Sequence, residues 1–535
     1  MIPADSEAVW GQDERQLFRL ARNVATRYVA IIIDAVMGFV VLPFNVHHLG
    51  QSAYGLWMLT SSLTLYFSVL DLGFGGSVTK FVAEYRARRD ARSLNEIIST
   101  IFLGFTLIGL VAYCGFIAVA IYVGQIFNLE PQQVETARRL TLIIGVYVAA
   151  GFPFSVFGGI INGFQRYDVN SLAGIVSSIL VALVNVTMLL LGFDLVSLVL
   201  ATTTVRVATY LFYRWNAYHI FPLLVVRPSL FRWSRLRELS TFSVYISMID
   251  WASKINYSAD ALVIGAFMPS AAVAIWTVPQ RLAEGVQRLT NQINGVLFPV
   301  VVDSDAGQRP DRLRAVFLEG TRFTLVLVVP IVTALLLLAG PLIRAWVGPA
   351  FETAIPVAQL LLLVVAVRVG NSSATTVLKG GGGHRLLAFT NLTIALVNVT
   401  LSLLLIRSFG LIGQAVGTLI PVAIGSLCVL WPAACRRVGI GPLTAFADAV
   451  WPALWPVLAM VAVILPIRNV MPHRLYAVAL AAAAGTICYL IAFLALGVKQ
   501  RERELYTAKV RELVRARKTV RTGPRAVAAP IVTAE

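Results

Sequence analysis

The sequence predicts an all-α polytopic membrane protein with about fourteen transmembrane helices. Three observations predict it. The 535 residues are 58% hydrophobic and only 13% charged, with a mean hydropathy of +0.78, whereas a soluble domain carries roughly 25% charge. Apolar runs of the length that crosses a hydrocarbon core, about 20 residues, recur along the whole chain. The basic residues alternate between the gaps: 33 lie at the termini and in every second loop, six in or beside the other loops and five inside spans, which accounts for all 44. In short loops that asymmetry sets orientation. The basic side is therefore expected to be the cytoplasm, with both termini there.

The expected spans are 26–46, 54–75, 97–124, 138–160, 170–191, 194–213, 240–265, 271–301, 321–342, 355–378, 386–406, 411–431, 447–467 and 475–497. The seventh and eighth are polar enough to face protein or water more than lipid. Before them, 1–25 is a polar segment without a cleavable apolar leader, so insertion is expected to begin at the first span. In the third loop, Pro131 suits the first position of a short external helix. The tail, 498–535, begins as a basic amphipathic helix that suits anionic lipid and ends in a stretch expected to be disordered.

A weak internal repeat runs at an offset of 215 to 220 residues. Ala53 and Trp57 match Ala272 and Trp276, Gly50 precedes one turn as Gly265 precedes the other, and Gly163 and Gly192 match Gly380 and Gly410. The repeat predicts two parallel six-helix bundles with pseudo-twofold symmetry, 26–213 and 240–431. A cytoplasmic linker, 214–239, joins them, and two additional helices follow over 447–497. Parallel repeats of this kind are related by an axis along the membrane normal, which leaves a cavity between the bundles. Gly50, Gly163, Gly265 and Gly380 are the expected hinge or turn positions.

Ionisable groups inside spans are costly unless they face a cavity or a partner. Asp34 lies in span one, Asp71 ends span two, Arg206 lies in span six, and Asp250 and Lys254 form an i,i+4 pair in span seven, with Asp260 beyond them. Arg368 lies in span ten. Span eight is the richest: Arg281, Glu284 and Arg288 fall on one helical face, which Asn291 and Gly295 continue. Arginine suits phosphate through its planar donors, so Arg281, Arg288, Arg206 and Arg368, in that order, are the candidate contacts for an anionic headgroup. Asp34, Asp250, Lys254 and Glu284 are candidate coupling groups or cavity ion pairs, and internal salt bridging is the competing reading for each.

Other chemistry is unsupported. The four cysteines have no metal-site spacing, no Walker loop is present, and the five histidines are scattered. The net charge of +17 sits beside the membrane on one face, which points to anionic membrane lipids and not to nucleic acid. No catalytic residue, metal or cofactor is expected.

Four segments carry a family likeness: LGQSAYGLW, LDLGFGGSVTKFVAEY, INGFQRY and FGLIGQAVGT. Through them the chain resembles the polysaccharide or O-antigen repeat-unit flippases of the multidrug, oligosaccharidyl-lipid and polysaccharide exporter superfamily, over roughly residues 15 to 500. Where relatives often carry arginine after the LDLG motif, this chain has Lys80. The resemblance implies a secondary transporter and not an enzyme, in a bacterial cytoplasmic (inner) membrane. It implies undecaprenyl-pyrophosphate-linked oligosaccharide as cargo, moved from the cytoplasmic to the outer leaflet for O-antigen or exopolysaccharide synthesis. It further implies H+ or Na+ coupling, and a polysaccharide polymerase and chain-length regulator as partners. The alternatives are a lipid II flippase, a cation-coupled multidrug exporter with Asp34 as coupling carboxylate, and a polytopic glycosyltransferase or polymerase.

Overall fold

The computed structural model describes residues 16–67, 74–235 and 259–497, and they are helical almost throughout. In chain order the long helices are α1 (Gln16–Phe67), α2 (Phe74–Ala87), α3 (Ala91–Ile126), α4 (Pro131–Gly163), α5 (Tyr167–Leu190) and α6 (Leu195–Ile220). They are followed by α7 (Ser270–Ala306), α8 (Pro310–Trp346), α9 (Ala354–Gly370) and α10 (Ser372–Gly380). Then come α11 (His384–Arg437), α12 (Pro442–Val470) and α13 (Leu475–Ala495). Among the described residues nine helices are long and apolar enough to cross a membrane, or ten when α9 and α10, bent by 42°, are taken as one broken span. The chain is a multi-pass membrane protein. Asp71, Asp250 and Lys254, and the tail from 498, lie outside the described residues.

The helices run longer than the sequence pattern predicts, because two expected loops are kinks. α1 carries the chain through two expected spans and breaks at Gly50, whose φ is +74°. α11 does the same at Gly410, with φ +56°. A left-handed backbone angle strains any residue with a Cβ, so glycine lets each helix kink there without an intervening loop. The expected external helix at Pro131 does not exist as a separate element. Pro131 is the first residue of α4 itself, where its missing N–H has no partner to lose.

Of the other glycines expected at hinges or turns, Gly163, Gly265 and Gly380 take no left-handed angle; they sit at close approaches. A Cβ on Gly163 would stand 2.4 Å from Val82 Cγ1, one on Gly265 2.3 Å from Leu59 Cδ1, and one on Gly380 2.8 Å from Val301 Cγ1. The turn after α10 is made by Gly382, with φ +82°. Motif segments that are distant in sequence meet here. Arg86 of α2 donates to the Gly163 carbonyl at 3.3 Å and covers the Phe164 ring.

The linker after α6 is extended and strapped to the start of α3. Asn95 donates to the Leu223 carbonyl at 2.8 Å and accepts from the Val225 N–H at 3.1 Å. The Arg227 and Arg232 N–H groups donate to Ser99 and Thr100. Backbone groups without a helical partner are thereby satisfied.

Contacts between residues 16–235 and 259–497 gather at the ends of the helices away from the basic loops. Ser270 donates to the Ser52 carbonyl at 3.1 Å, Gln51 to the Ala350 carbonyl at 2.8 Å, and the Asn128 N–H to the Gly265 carbonyl at 2.8 Å. Trp346 stacks on Phe39 and donates to its carbonyl at 2.8 Å. Gly55 permits the approach: a Cβ there would overlap the Ser270 backbone.

Candidate functional site

The polar stripe of α7 divides in two. Its first half forms a charged cluster with α1. Arg288 Nη1 donates to Asp34 Oδ2 at 2.6 Å, bridging positions 254 residues apart. Arg288 Nη2 and Arg281 Nη1 each stand 3.8 Å from Glu284 Oε2, and Gln280 donates to Glu284 Oε1 at 3.0 Å. The side chains remain open: Arg281 and Arg288 are 44% exposed, Glu284 32% and Asp34 54%. Charged heads that open at membrane depth must face water or a polar cargo and not acyl chains.

Two guanidiniums against two carboxylates make this cluster electrically balanced. The sequence pairs Glu284 with Arg288 on one helix, but the shorter bond goes to Asp34 on another, a partner that only the fold supplies. The Arg281 guanidinium stands beyond hydrogen-bond length from Glu284, which leaves its donors available for an incoming anion.

The second half of the stripe lines a different space. Gln287, Asn291, Asn294, Gly295 and Phe298 form one wall of a cavity of about 510 Å³ inside the second half of the chain. Asn371, Ser372, Thr375 and Thr376 of the α9–α10 break form another, and Arg368 and Lys379 bring the cationic charge. Thus Arg368 belongs to this cavity, and the charged cluster does not contain it. Arg206 has other neighbours again: it lies over the Tyr147 ring at 5.5 Å, and Tyr147 stacks on Tyr210 with ring centroids 5.5 Å apart. The four arginines singled out by sequence therefore occupy three places, and the structure brings only Arg281 and Arg288 together.

Sequence reasoning missed Asn371, Ser372, Asn294 and Lys379 as lining residues. The signal was present in NSSATT over 371–376, a polar run inside an expected span. It also left Asp260 unranked. This carboxylate is only 6% exposed and accepts from Gln414 at 2.7 Å. Thr418 joins it to Asn398, and Ser402 bonds Asn398 in turn. Among the described residues no group of three or more His, Cys, Asp or Glu is arranged to hold a metal ion.

A multi-pass helical shell thus encloses charged and polar interior surfaces. The chain belongs to the family described as "Polysaccharide biosynthesis protein", whose sequence profile matches residues 20–304, more than half of its length. The "Probable flippase AglR" of Haloferax volcanii is 23% identical to it over 91% of this chain and 98% of that protein. The solved structure "Lipid II flippase MurJ, inward closed conformation" superposes with a TM-score of 0.67 at 16% identity, covering 89% of this chain and 98% of its own. An inward-facing multidrug resistance MATE family transporter of the MOP superfamily superposes with a TM-score of 0.59 at 15% identity, over 79% and 98%. At these identities the two structures establish the shared fold.

Proposed function

We propose that this protein translocates polyprenyl-(pyro)phosphate-linked oligosaccharide repeat units from the cytoplasmic to the outer leaflet, by alternating access, for O-antigen or exopolysaccharide synthesis. The reading is carried by one observation: Arg281 and Arg288 hold half-exposed guanidiniums on a membrane-length helix, beside a carboxylate from the first helix. An arriving pyrophosphate would replace Asp34 and Glu284 as the partner of these arginines and exchange one set of charge-assisted bonds for another. The family description and the flippase name of the Haloferax relative support the same cargo class. The cluster carries no net negative charge to draw in a cationic drug, since each of its two carboxylates is matched by an arginine, so the multidrug alternative is disfavoured.

The proposed architecture is fourteen spans in two parallel six-helix bundles plus two further helices, with the basic loops and both termini in the cytoplasm. Breaks at Gly50 and Gly410 support counting α1 and α11 twice. Ser52 and Ser270 support the pseudo-twofold, because their hydroxyls meet at 3.3 Å. Residues near a twofold axis touch their own equivalents, and 52 and 270 differ by 218, within one position of the Ala53–Ala272 and Trp57–Trp276 matches. Gly163 on Val82 and Gly380 on Val301 make the same contact in both halves.

Replacing Arg281 and Arg288 singly by Gln tests the reading in proteoliposomes at equal protein amounts. Translocation of a fluorescent polyprenyl-pyrophosphate saccharide is expected to fall at least tenfold in each. Near-wild-type translocation in both variants would overturn the assignment.

A further inference from the structure

The cavity beside the α9–α10 break holds chemistry that the charged cluster lacks. Five carboxamides face it: Gln287, Asn291, Asn294, Asn371 and Asn391. Among the described residues its charged lining members are Arg368 and Lys379, and none is a carboxylate. A cationic occupant is therefore disfavoured, and a neutral or anionic one is favoured.

Several of its polar atoms are buried with no hydrogen-bond partner among the described residues: Gln287 Oε1, Asn294 Oδ1, Asn371 Oδ1 and Ser372 Oγ. Asn371 is 3% and Ser372 4% exposed. A buried polar atom left without a partner is destabilising, so four at one cavity mark a surface shaped for something that completes them. The backbone points the same way. α9 ends at Gly370 and α10 begins at Ser372 with a 42° bend, and broken helices at membrane depth are tolerated where they line a cavity.

We infer that this cavity is a saccharide subsite, taking a sugar ring that carries a phosphate or a carboxylate. Carboxamides present a donor and an acceptor side by side, which matches the paired hydroxyls of a sugar. Phe298 supplies a ring face within the same lining, with Lys379 6.0 Å from its centroid. Arg368 and Lys379 supply the anion contacts. The volume of about 510 Å³ lies in the usual range for small-molecule sites, about 300–1,000 Å³. Hydroxyls of Thr375 and Thr376 donate back to the Ser372 carbonyl, so toward a ligand they act as acceptors. The inference rests on the proposed cargo class and deepens it: the charged cluster would take the pyrophosphate, while this cavity selects the sugar.

The test uses the full-length protein in nanodiscs, with glucose 1-phosphate, galactose 1-phosphate and glucuronate as soluble probes. Inorganic phosphate and glucose serve as controls, and binding is read by saturation-transfer NMR. Saturable binding of at least one anionic sugar is expected, at least tenfold tighter than either control. Asn371→Ala and Ser372→Ala should each weaken it at least tenfold while leaving the melting temperature equal or higher, because each removes an unsatisfied polar atom. A purely structural role would instead lower the melting temperature.

Absence of saturable binding by all three probes overturns the subsite, as does equal binding of inorganic phosphate or binding that survives both substitutions. The probes carry no lipid. Failure here with translocation still dependent on Arg281 and Arg288 thus removes the subsite alone, whereas loss of that dependence with probe binding intact removes the headgroup assignment alone.

Discussion

Residues 153–163, PFSVFGGIING, and 370–380, GNSSATTVLKG, are matched at an offset of 217 in the proposed repeat, and they are built in opposite ways. In the first, Phe154 and Phe157 interlock with each other and with Phe102 and Tyr210, and α4 runs through Pro153 unbroken. In the second, Asn371 stands where Phe154 does and Ala374 where Phe157 does, the helix breaks, and a polar cavity opens. Both segments end in a glycine pressed against a buried valine. The glycine ends are packed alike, while the middle of the first segment is filled by aromatic rings and the middle of the second borders a cavity. An asymmetry of this kind is what a transporter needs if one half holds cargo while the other half moves against it.

The largest expected effect comes from exchanging residues between the two segments. Phe157 is 2% exposed, and Phe157→Ala, the residue found at the matching place, should cost about 3 kcal/mol through the hole it leaves. Asn371→Phe should cost far less, because the ring enters an existing cavity and a buried amide disappears. Reversible unfolding in detergent measures both. Equal losses would mean that the polar cavity is as tightly packed as the aromatic cluster, which would erase the contrast.

A smaller effect tests the shared ends. Gly163→Ala and Gly380→Ala should each destabilise by about 1–3 kcal/mol from overpacking. The first should cost more, since its Cβ would lie 2.4 Å from Val82 Cγ1 and the second 2.8 Å from Val301 Cγ1. A neutral Gly163→Ala in the same unfolding assay would show that the contact does not constrain the helices.

The smallest effect concerns helix starts. In the first half, Asp90 caps α3 by accepting from the Ser93 N–H at 3.0 Å, and Asp194 caps α6 by accepting from Ser197 at 3.1 Å. In the second half α8 starts on Pro310 with no side-chain cap. The Ser93 hydrogen bonds hold the Asp90 carboxyl below the usual carboxylate range, and those of Ser197 do the same for Asp194. A carboxyl lowered in the folded state stabilises above its unfolded value, about 3.9. That contribution is lost as pH falls through the folded value. Asp90→Ala and Asp194→Ala should each cost about 0.5–1 kcal/mol at neutral pH, and the difference should vanish progressively below about pH 4. A difference that persists at pH 2 would show that the caps act through shape and not charge.

Much of the molecule was legible in one dimension. Hydropathy placed the nine apolar helices long enough to cross a membrane among the described residues, because a membrane span must satisfy its backbone within itself and cover it with apolar side chains; α2, Phe74–Ala87, falls where a loop was expected. The stripe Arg281–Glu284–Arg288 was legible because spacing of three and four fixes a shared helical face. Gly50 and Gly410 were visible as turn positions, although the helices continue through them, since a residue free to take positive φ can bend a helix without ending it.

Sequence by itself thus determined that this is a polytopic helical membrane protein, where its long apolar helices lie and which polar residues share a face, all of which follow from local periodicity and the solvent that lipid provides. Only the tertiary structure decided that Arg288 meets Asp34 and not just Glu284, that Arg368 and Arg206 stand apart from that cluster, and that Asn371 and Ser372 open onto a cavity. Those outcomes depend on which helices pack together, across 254 positions for Arg288 and Asp34, and no local pattern carries that information.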